Sequence, residues 1–557
     1  MVPLRIDAEA QRDAGSGPKG ARDACSMTEK QLRVLIADAV HDQGRDILAA
    51  DPGRRVDVAL GLDEAALVDR IKDYDALVVR SKTRVTAPVI AAAKRLKVIG
   101  RAGIGVDNID VAAATEHGIV VCNTPDSNAT TTAELAIAHL LSLSRNLPRA
   151  DRSVRAGEWQ PAKFTGAEVT GKTVGVVGFG TIGRIFASRC LGLKMRVLAY
   201  DPFVTPEAVA DLGAEAADLD ALLAASDYVS LHCPLMDKTR NLIDAVRLAK
   251  MKPGARLINC ARGGLVDEAA LCDALASGHL AGAALDVFAV EPPKGSPLLS
   301  LDNVVLTPHL GASTEEAQQA VSIKIAETIS AFLTTGVAAD AVNLPRVPAE
   351  QQSRAQPYLG LARALGALVA ELAPGPISEL EVGLFGRAAD LDPRPITAQA
   401  LVGLLGKRLS VAVNQVNAGP LAQRQGVHVR ETRSDVMHDY VSLIELKATT
   451  ASGATSVAGT LLGERHPRIV RIDEYDVEAV PEGHILFTRH ADRPGVVGGI
   501  GGILGREGVN ISRMQIGSAA NADEAISLIG IAAPLSENVV AEIRALPAMR
   551  QVVQLEL

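Results

Sequence analysis

One pattern constrains this chain more than any other. It is the run Val174-Gly175-Val176-Val177-Gly178-Phe179-Gly180-Thr181-Ile182-Gly183-Arg184, followed downstream by Asp201. The β-branched run predicts a strand, the glycines a tight turn, and the residues after them a helix. Gly178 permits the turn, Gly180 lets backbone approach a pyrophosphate, and Gly183 lets helix and strand pack closely. The helix N-terminus then offers unpaired N–H groups and a positive dipole end to phosphates. A second strand, Met195 to Tyr200, delivers the Asp201 carboxylate toward an adenosine ribose. That carboxylate repels a 2′-phosphate, and no Arg or Lys follows it in Pro202-Phe203-Val204-Thr205, so NAD is favoured over NADP. Glycine-rich turns often serve packing alone. Strand, glycines, helix, strand and acid in register are far more specific.

At 557 residues the chain exceeds what one core supports, so several domains are expected. Its 48% hydrophobic and 22% charged residues are those of a globular protein. A net charge of −8 without a basic stripe argues against a nucleic-acid partner. No apolar run has the length of a membrane span. The six cysteines (Cys25, Cys122, Cys190, Cys233, Cys260 and Cys272) lack C-x-x-C spacing and read as reduced thiols of a cytoplasmic protein. No metal is expected. Residues 1–30 mix charged and small residues without periodicity or an apolar centre, so a disordered extension is expected rather than a signal peptide, and Met27 is a possible natural start.

Alternation of strand-like and helical stretches predicts an α/β fold with two doubly wound, Rossmann-like domains. The first is assigned to 31–128 and 308–341, the second, nucleotide-binding, to 129–307. The stretch from Pro308 to about Leu333 reads as one long helix after a loop, returning to the first domain. The rhythm stops near Val342-Asn343-Leu344-Pro345, and the segment to Pro357 reads as a linker. An α+β domain is assigned to 342–480, with helices near 358–372 and 395–408 and strands near 377–384, 426–432, 441–448 and 455–461. The end, 484–557, orders its elements β-α-β-β-α-β, which is ferredoxin-like. Asp492-Arg493-Pro494-Gly495 reads there as a helix N-cap with Pro in the first turn.

A bound nicotinamide needs a group that moves a proton, usually a histidine oriented by a carboxylate, and a cation for the carbonyl or a substrate carboxylate. Three successive strand ends of the second domain offer these groups: Arg262 in Asn259-Cys260-Ala261-Arg262-Gly263-Gly264, Glu291 in Asp286-Val287-Phe288-Ala289-Val290-Glu291-Pro292, and His309 in Thr307-Pro308-His309-Leu310-Gly311-Ala312-Ser313. Each alone has a bland reading, as ion-pair member, loop acid or capping residue. Together at the carboxyl edge of an α/β sheet they favour catalysis. His232, at a strand end before Pro234, reads as cofactor wall.

The motifs from 174 to 313 resemble those of the D-isomer-specific 2-hydroxyacid dehydrogenases, and about residues 30 to 557 resemble the long, phosphoglycerate-type members with an intervening and an ACT regulatory domain. The resemblance implies that Arg262 binds substrate and carbonyl, Glu291 partners the histidine, and His309 is the acid/base. It implies cofactor contacts from Gly178, Gly180, Thr181, Ile182, Gly183, Arg184, Asp201, Pro234, Cys260, Ala261, Arg262, Asp286, His309, Gly311 and Ala312. Val79-Arg80-Ser81 and Arg101-Ala102-Gly103-Ile104-Gly105-Val106-Asp107-Asn108 also match, which implies substrate contacts from Arg80, Ser81, Gly103, Ile104, Gly105 and Asp107. The activity implied is NAD-dependent oxidation of 3-phospho-D-glycerate, the first step of phosphorylated L-serine biosynthesis. A homotetramer and inhibition by L-serine at His490, Asp492 and Asn510 are implied as well.

Other readings are a hydroxypyruvate, glyoxylate or 2-oxoglutarate reductase, or an NAD(H)-sensing corepressor-like scaffold. The tail past 480 argues against such reductases, which usually end near the long helix. The regulatory-type tail also argues against the scaffold.

Overall fold

The computed structural model describes residues 31–338, 340–345, 347–437, 439–519 and 523–557. The expected N-terminal extension, with Cys25, lies outside the described residues.

The first domain is a five-stranded sheet ordered Arg54–Val58, Leu32–Ile36, Ala76–Val79, Val98–Arg101, Val120–Cys122, with every neighbour parallel. Its other four strands are nearly all apolar, as the covered part of a sheet requires, whereas the edge strand Arg54–Val58 carries three charged residues. The order reverses between Leu32–Ile36 and Ala76–Val79. The loops after those two strands therefore open a crevice at the carboxyl edge. Arg80 and Ser81 follow the second of these strands.

The second domain is a seven-stranded sheet ordered Val304–Leu306, Gly282–Leu285, Arg256–Asn259, Tyr228–Leu231, Thr173–Val177, Arg196–Tyr200, Glu215–Ala216, again wholly parallel. Its reversal falls between Thr173–Val177 and Tyr228–Leu231. The glycine turn and His232 thus share one crevice.

The chain enters this domain through the helix Ala129–Arg145, whose Ala133, Ala136, Leu140 and Leu143 join its core. It leaves through the helix Glu315–Thr335, which starts where the Thr314 hydroxyl accepts from the Ala317 N–H. Val321, Ile325, Ala326 and Ile329 of that helix pack on the first sheet with Val34, Ile36 and Val78. The expected return to the first domain is present, and its helix begins at Glu315 rather than near Pro308.

The expected linker to Pro357 is instead the start of a helix, Ala349–Leu372. Pro357 stands on its exposed face, where a carbonyl deprived of its partner meets water. Leu361, Leu365, Leu368 and Val369 are fully buried on the other face, each contributing about 1.5–3 kcal/mol, which outweighs the proline. A second helix, Pro393–Arg408, crosses it closely. A Cβ on Gly366 would lie 2.0 Å from the Ala400 carbonyl oxygen, and one on Gly403 2.0 Å from that of Arg363.

These helices cover a six-stranded mixed sheet ordered His428–Ser434, Ile377–Gly386, Ser442–Thr450, Gly453–Leu462, His466–Ile472, Tyr475–Ala479. The last two strands were not expected from the sequence. Register shifts near Ala458/Gly459 and between Ile469 and Arg471 disturb the alternation that would have revealed them.

The C-terminal domain is an antiparallel sheet ordered Ile511–Ser518, Glu524–Ile531, His484–Ala491, Met549–Glu556. One face carries the helices Val496–Arg506 and Glu537–Arg544. The other, with Ile485, Phe487, Ile526 and Leu528, joins the core of the preceding domain at Tyr475 and Val477. The expected Asp492 N-cap is not formed. Gly495, in the left-handed region at φ 96°, caps the helix, and Pro494 precedes it.

Candidate active site

Gly178 turns at φ 95°, and a Cβ there would lie 2.7 Å from the Cys233 amide nitrogen. A Cβ on Gly183 would lie 2.0 Å from the Gly178 carbonyl oxygen, whereas Gly180 faces open space. The helix Thr181–Gly192 starts at Gly180 with no side-chain cap, so its first N–H groups point unpaired toward that space. Asp201 accepts from the amides of Phe179 at 2.8 Å and Phe203 at 2.9 Å, which holds its carboxylate against the glycine turn. A dinucleotide fits this cradle: pyrophosphate over Gly180 and Thr181, ribose on Asp201. His232 packs against Phe186, ring centroids 4.8 Å apart, and bonds Ser230 Oγ at 2.9 Å. Burial holds its imidazole well below the usual range, so it forms a neutral wall of the crevice.

A cavity of about 250 Å³ opens beside this crevice, between the two parallel-sheet domains. It gathers Ile104, Gly105 and Asp107 from the first domain. From the second it gathers Ile182, Pro234, Cys260, Ala261, Arg262, His309, Gly311 and Ala312. Buried Asn259 shapes the loop that carries Arg262: its amide donates to the Arg262 carbonyl at 2.8 Å, and its oxygen accepts from the Ala261 N–H at 3.0 Å. Gly263 is required there, because a Cβ would lie 1.9 Å from the Phe288 carbonyl carbon.

Arg262 reaches across the cleft, its Nε donating to Asp107 Oδ2 at 2.9 Å. A Cβ on Gly105 would meet Arg262 Nη2 at 1.8 Å, and one on Gly103, at φ 145°, would meet Arg101 Nη1 at 1.6 Å. Two guanidinium groups therefore pass the glycine loop 103–105, which is why bulk is excluded from it. Burial, and then the nearby charge of Arg262, lower Arg101 to about 10, and its Nε has no hydrogen-bond partner. Arg80, whose backbone N–H donates to Asp38 at 2.6 Å, adds a third positive charge nearby. Ser81 follows it, exposed.

His309 Nδ1 lies 2.8 Å from Glu291 Oε2, and Glu291 Oε1 accepts from the Phe288 N–H at 3.1 Å. Burial pushes the Glu291 carboxyl up, but the hydrogen bond and charge of His309 outweigh it, so the group rests below its usual range. With Nδ1 engaged, Nε2 is the atom left for a ligand. Asp286 is fully buried and stands behind the His309 turn.

Arg101, Asn123, Thr124 and Asn128 were missed as site residues. Arg101 ends a parallel strand at the carboxyl edge, a signal the sequence offered. The other three carry buried polar atoms without protein partners beside the crevice, which no sequence pattern reveals.

The residues expected from the sequence to bind an effector lie far along the chain, in the C-terminal domain. Asp492 and Asn510 are exposed there. His490 is 2% exposed and engaged in its own sheet. Its Nδ1 donates to the Ala491 carbonyl at 3.0 Å, which leaves Nε2, 2.8 Å away, to accept from Ser527 Oγ.

Fold and site define an NAD-dependent dehydrogenase, and comparison with known proteins narrows the class. Residues 137–311 match the D-isomer specific 2-hydroxyacid dehydrogenase NAD binding domain, 354–473 the D-3-phosphoglycerate dehydrogenase intervening domain, and 484–548 the ACT domain. A D-3-phosphoglycerate dehydrogenase of Synechocystis sp. is 43% identical, over 94% of this chain and 95% of its own. One of Methanocaldococcus jannaschii is 40% identical, over 94% of this chain and 100% of its own. Among solved structures, the TT0316 protein of Thermus thermophilus aligns with TM-score 0.52 at 37% identity, over 56% of this chain and 100% of its own. A glyoxylate reductase from Paecilomyes thermophila aligns with TM-score 0.52 at 33% identity, over 56% of this chain and 98% of its own. The chain belongs to the D-3-phosphoglycerate dehydrogenase family of D-isomer specific 2-hydroxyacid dehydrogenases. Among the described residues no helix is long and apolar enough to cross a membrane.

Proposed function

We propose that the protein oxidises 3-phospho-D-glycerate to 3-phosphooxypyruvate with NAD, the entry step of phosphorylated L-serine biosynthesis. One observation carries the reading: the His309–Glu291 pair and three arginines, Arg80, Arg101 and Arg262, converge beside the dinucleotide cradle. A substrate with both a carboxylate and a phosphate suits so dense a positive charge better than a plain 2-hydroxy acid does.

The loop amides around Ile104 and Gly105, with Arg262, take the substrate carboxylate. Arg80, Ser81 and Arg101 take the phosphate. Asp107 holds Arg262 through Nε and the Ala261 carbonyl holds it through Nη1, which leaves Nη2 to polarise the oxygen on C2. His309 Nε2 accepts the C2 hydroxyl proton, and Glu291 faces the imidazolium that forms. NAD, when bound, supplies the acceptor for the hydride. His232, neutral, and Pro234 keep water from that side.

In this reading the domains are substrate binding over 31–128 and 308–341, nucleotide binding over 129–307, an intervening domain over 342–480 and an effector-binding ACT domain over 484–557. L-serine is the proposed effector at Asp492 and Asn510, in a cytoplasmic enzyme. The helix Leu147–Arg155 buries none of its residues, and Leu147, Val154 and Trp159 beside it are exposed. Large apolar side chains left exposed among the charges of that helix support assembly of copies, a tetramer in this proposal. Purified protein given NAD and 3-phospho-D-glycerate forms NADH, and its absence under all assay conditions rejects the reading.

A further inference from the structure

The chain crosses between the two parallel-sheet domains at two adjacent places. One crossing runs through 123–128 into the helix Ala129–Arg145, and the other runs from the His309 turn through 312–314 into the helix Glu315–Thr335. The crossings are fastened to each other. Thr132 Oγ1 donates to the Gly311 carbonyl at 2.7 Å, and the hydroxyls of Thr131 and Thr314 lie 3.4 Å apart.

Further along the same helix, buried His139 places Nε2 3.1 Å from Thr307 Oγ1. Its helix neighbours facing the core are Ala136, Leu140 and Leu143, so a plain packing role would be filled better by an apolar residue. The Thr307 hydroxyl lies 2.6 Å from Asp286 Oδ1, an oxygen that also accepts the Leu310 N–H at 2.7 Å. Thr307 therefore spends its one proton on Asp286, and His139 must be the donor at Nε2. Asp286 further accepts the Gly311 N–H at 2.9 Å through Oδ2 and the His309 N–H at 2.9 Å through its backbone carbonyl. Within this clamp His309 sits at φ 55°, a left-handed conformation that a non-glycine residue keeps only when its surroundings impose it.

We propose that His139 is a positioning residue for His309. Through Thr307 and Asp286 it ties the helix of the first crossing to the turn that presents the acid/base, so the seat of that helix on the second sheet aims the imidazole. This rests on the reading of His309 as the acid/base.

The test compares His139→Leu, His139→Gln, Thr307→Val and Thr307→Ser, with His309→Ala as reference. Expected for His139→Leu and Thr307→Val is a fall in kcat of about tenfold to a hundredfold. KM for 3-phospho-D-glycerate and NADH affinity by fluorescence titration stay within about twofold. Amide hydrogen exchange across 307–312 speeds up in both. His139→Gln and Thr307→Ser, which restore a donor, return most of kcat. The inference is overturned if kcat and exchange are unchanged in Thr307→Val, a variant that keeps the side chain's shape should His139→Leu not fold. It is equally overturned if NADH affinity falls as much as kcat. A His309→Ala enzyme with normal turnover would instead reject the acid/base reading itself.

Discussion

His309 and His490 are both histidines bonded at Nδ1, yet one is built to react and the other to stay put. His309 is 43% exposed by its side chain, spends one ring nitrogen on a carboxylate, and turns the other to a cavity. His490 lies on one of the two inner strands of its sheet, with both nitrogens engaged by neighbouring protein groups. The chemical difference comes from the partners. A carboxylate can face an imidazolium, whereas a carbonyl and a hydroxyl fix a ring in place. A histidine in a ligand motif is thus no guarantee of a free ligand atom, and the C-terminal site has to bind through exposed Asp492 and Asn510 first.

The comparison breaks most sharply by truncation. His309→Ala should lower kcat by about 10²–10⁴-fold with NADH affinity kept. His490→Ala should leave kcat within about twofold, while unfolding free energy falls by about 1–3 kcal/mol because Ser527 loses its partner. Chemical denaturation and steady-state kinetics on the two variants read both effects.

Asp201→Ser should raise KM for NAD by about tenfold or more, since a charged acceptor for the ribose is lost, and should improve use of NADP. Wild-type protein that used NADP as well as NAD would remove this role.

Glu291→Gln should cost less than His309→Ala. It should also flatten the acid limb of the kcat profile, because an amide at 291 has no carboxyl to protonate as pH falls. In the wild type, the Glu291 carboxyl lies below its usual range, so the pair survives mild acidification and is lost only as pH falls through that lowered value. An acid limb unchanged in Glu291→Gln would make the pair a packing contact.

The smallest effect concerns the effector. Calorimetry with L-serine should give heat with the wild type and little with Asp492→Ala, and equal heats in both, or none in either, would remove the serine proposal.

Much of this was legible in the sequence because parallel strands are apolar runs whose ends carry the chemistry. Glycine turn, Asp201, Arg262, Glu291 and His309 all follow such runs. Arg101 ends one as well, but its burial beside Arg262 is a matter of two domains meeting. The helix through Pro357 was hidden because the core it buries outweighs a local breaker. The strands His466–Ile472 and Tyr475–Ala479 were hidden by shifts of register. Likewise, the core shared by the intervening and C-terminal domains joins residues such as Leu380 and Phe487 that no local pattern relates. The left-handed setting of His309 is imposed by Asp286, one strand away.

The central claim is that the three-arginine cleft selects a phosphorylated 2-hydroxy acid. The most direct measurement is kcat/KM for 3-phospho-D-glycerate against D-glycerate and D-lactate in NAD reduction, on the wild type and on Arg80→Ala. Lost charge-assisted contacts of about 1.5–3 kcal/mol each predict a preference for the phosphorylated acid of at least about a hundredfold, much reduced in Arg80→Ala. Equal or better turnover of an unphosphorylated acid, or a preference untouched by Arg80→Ala, would contradict the account.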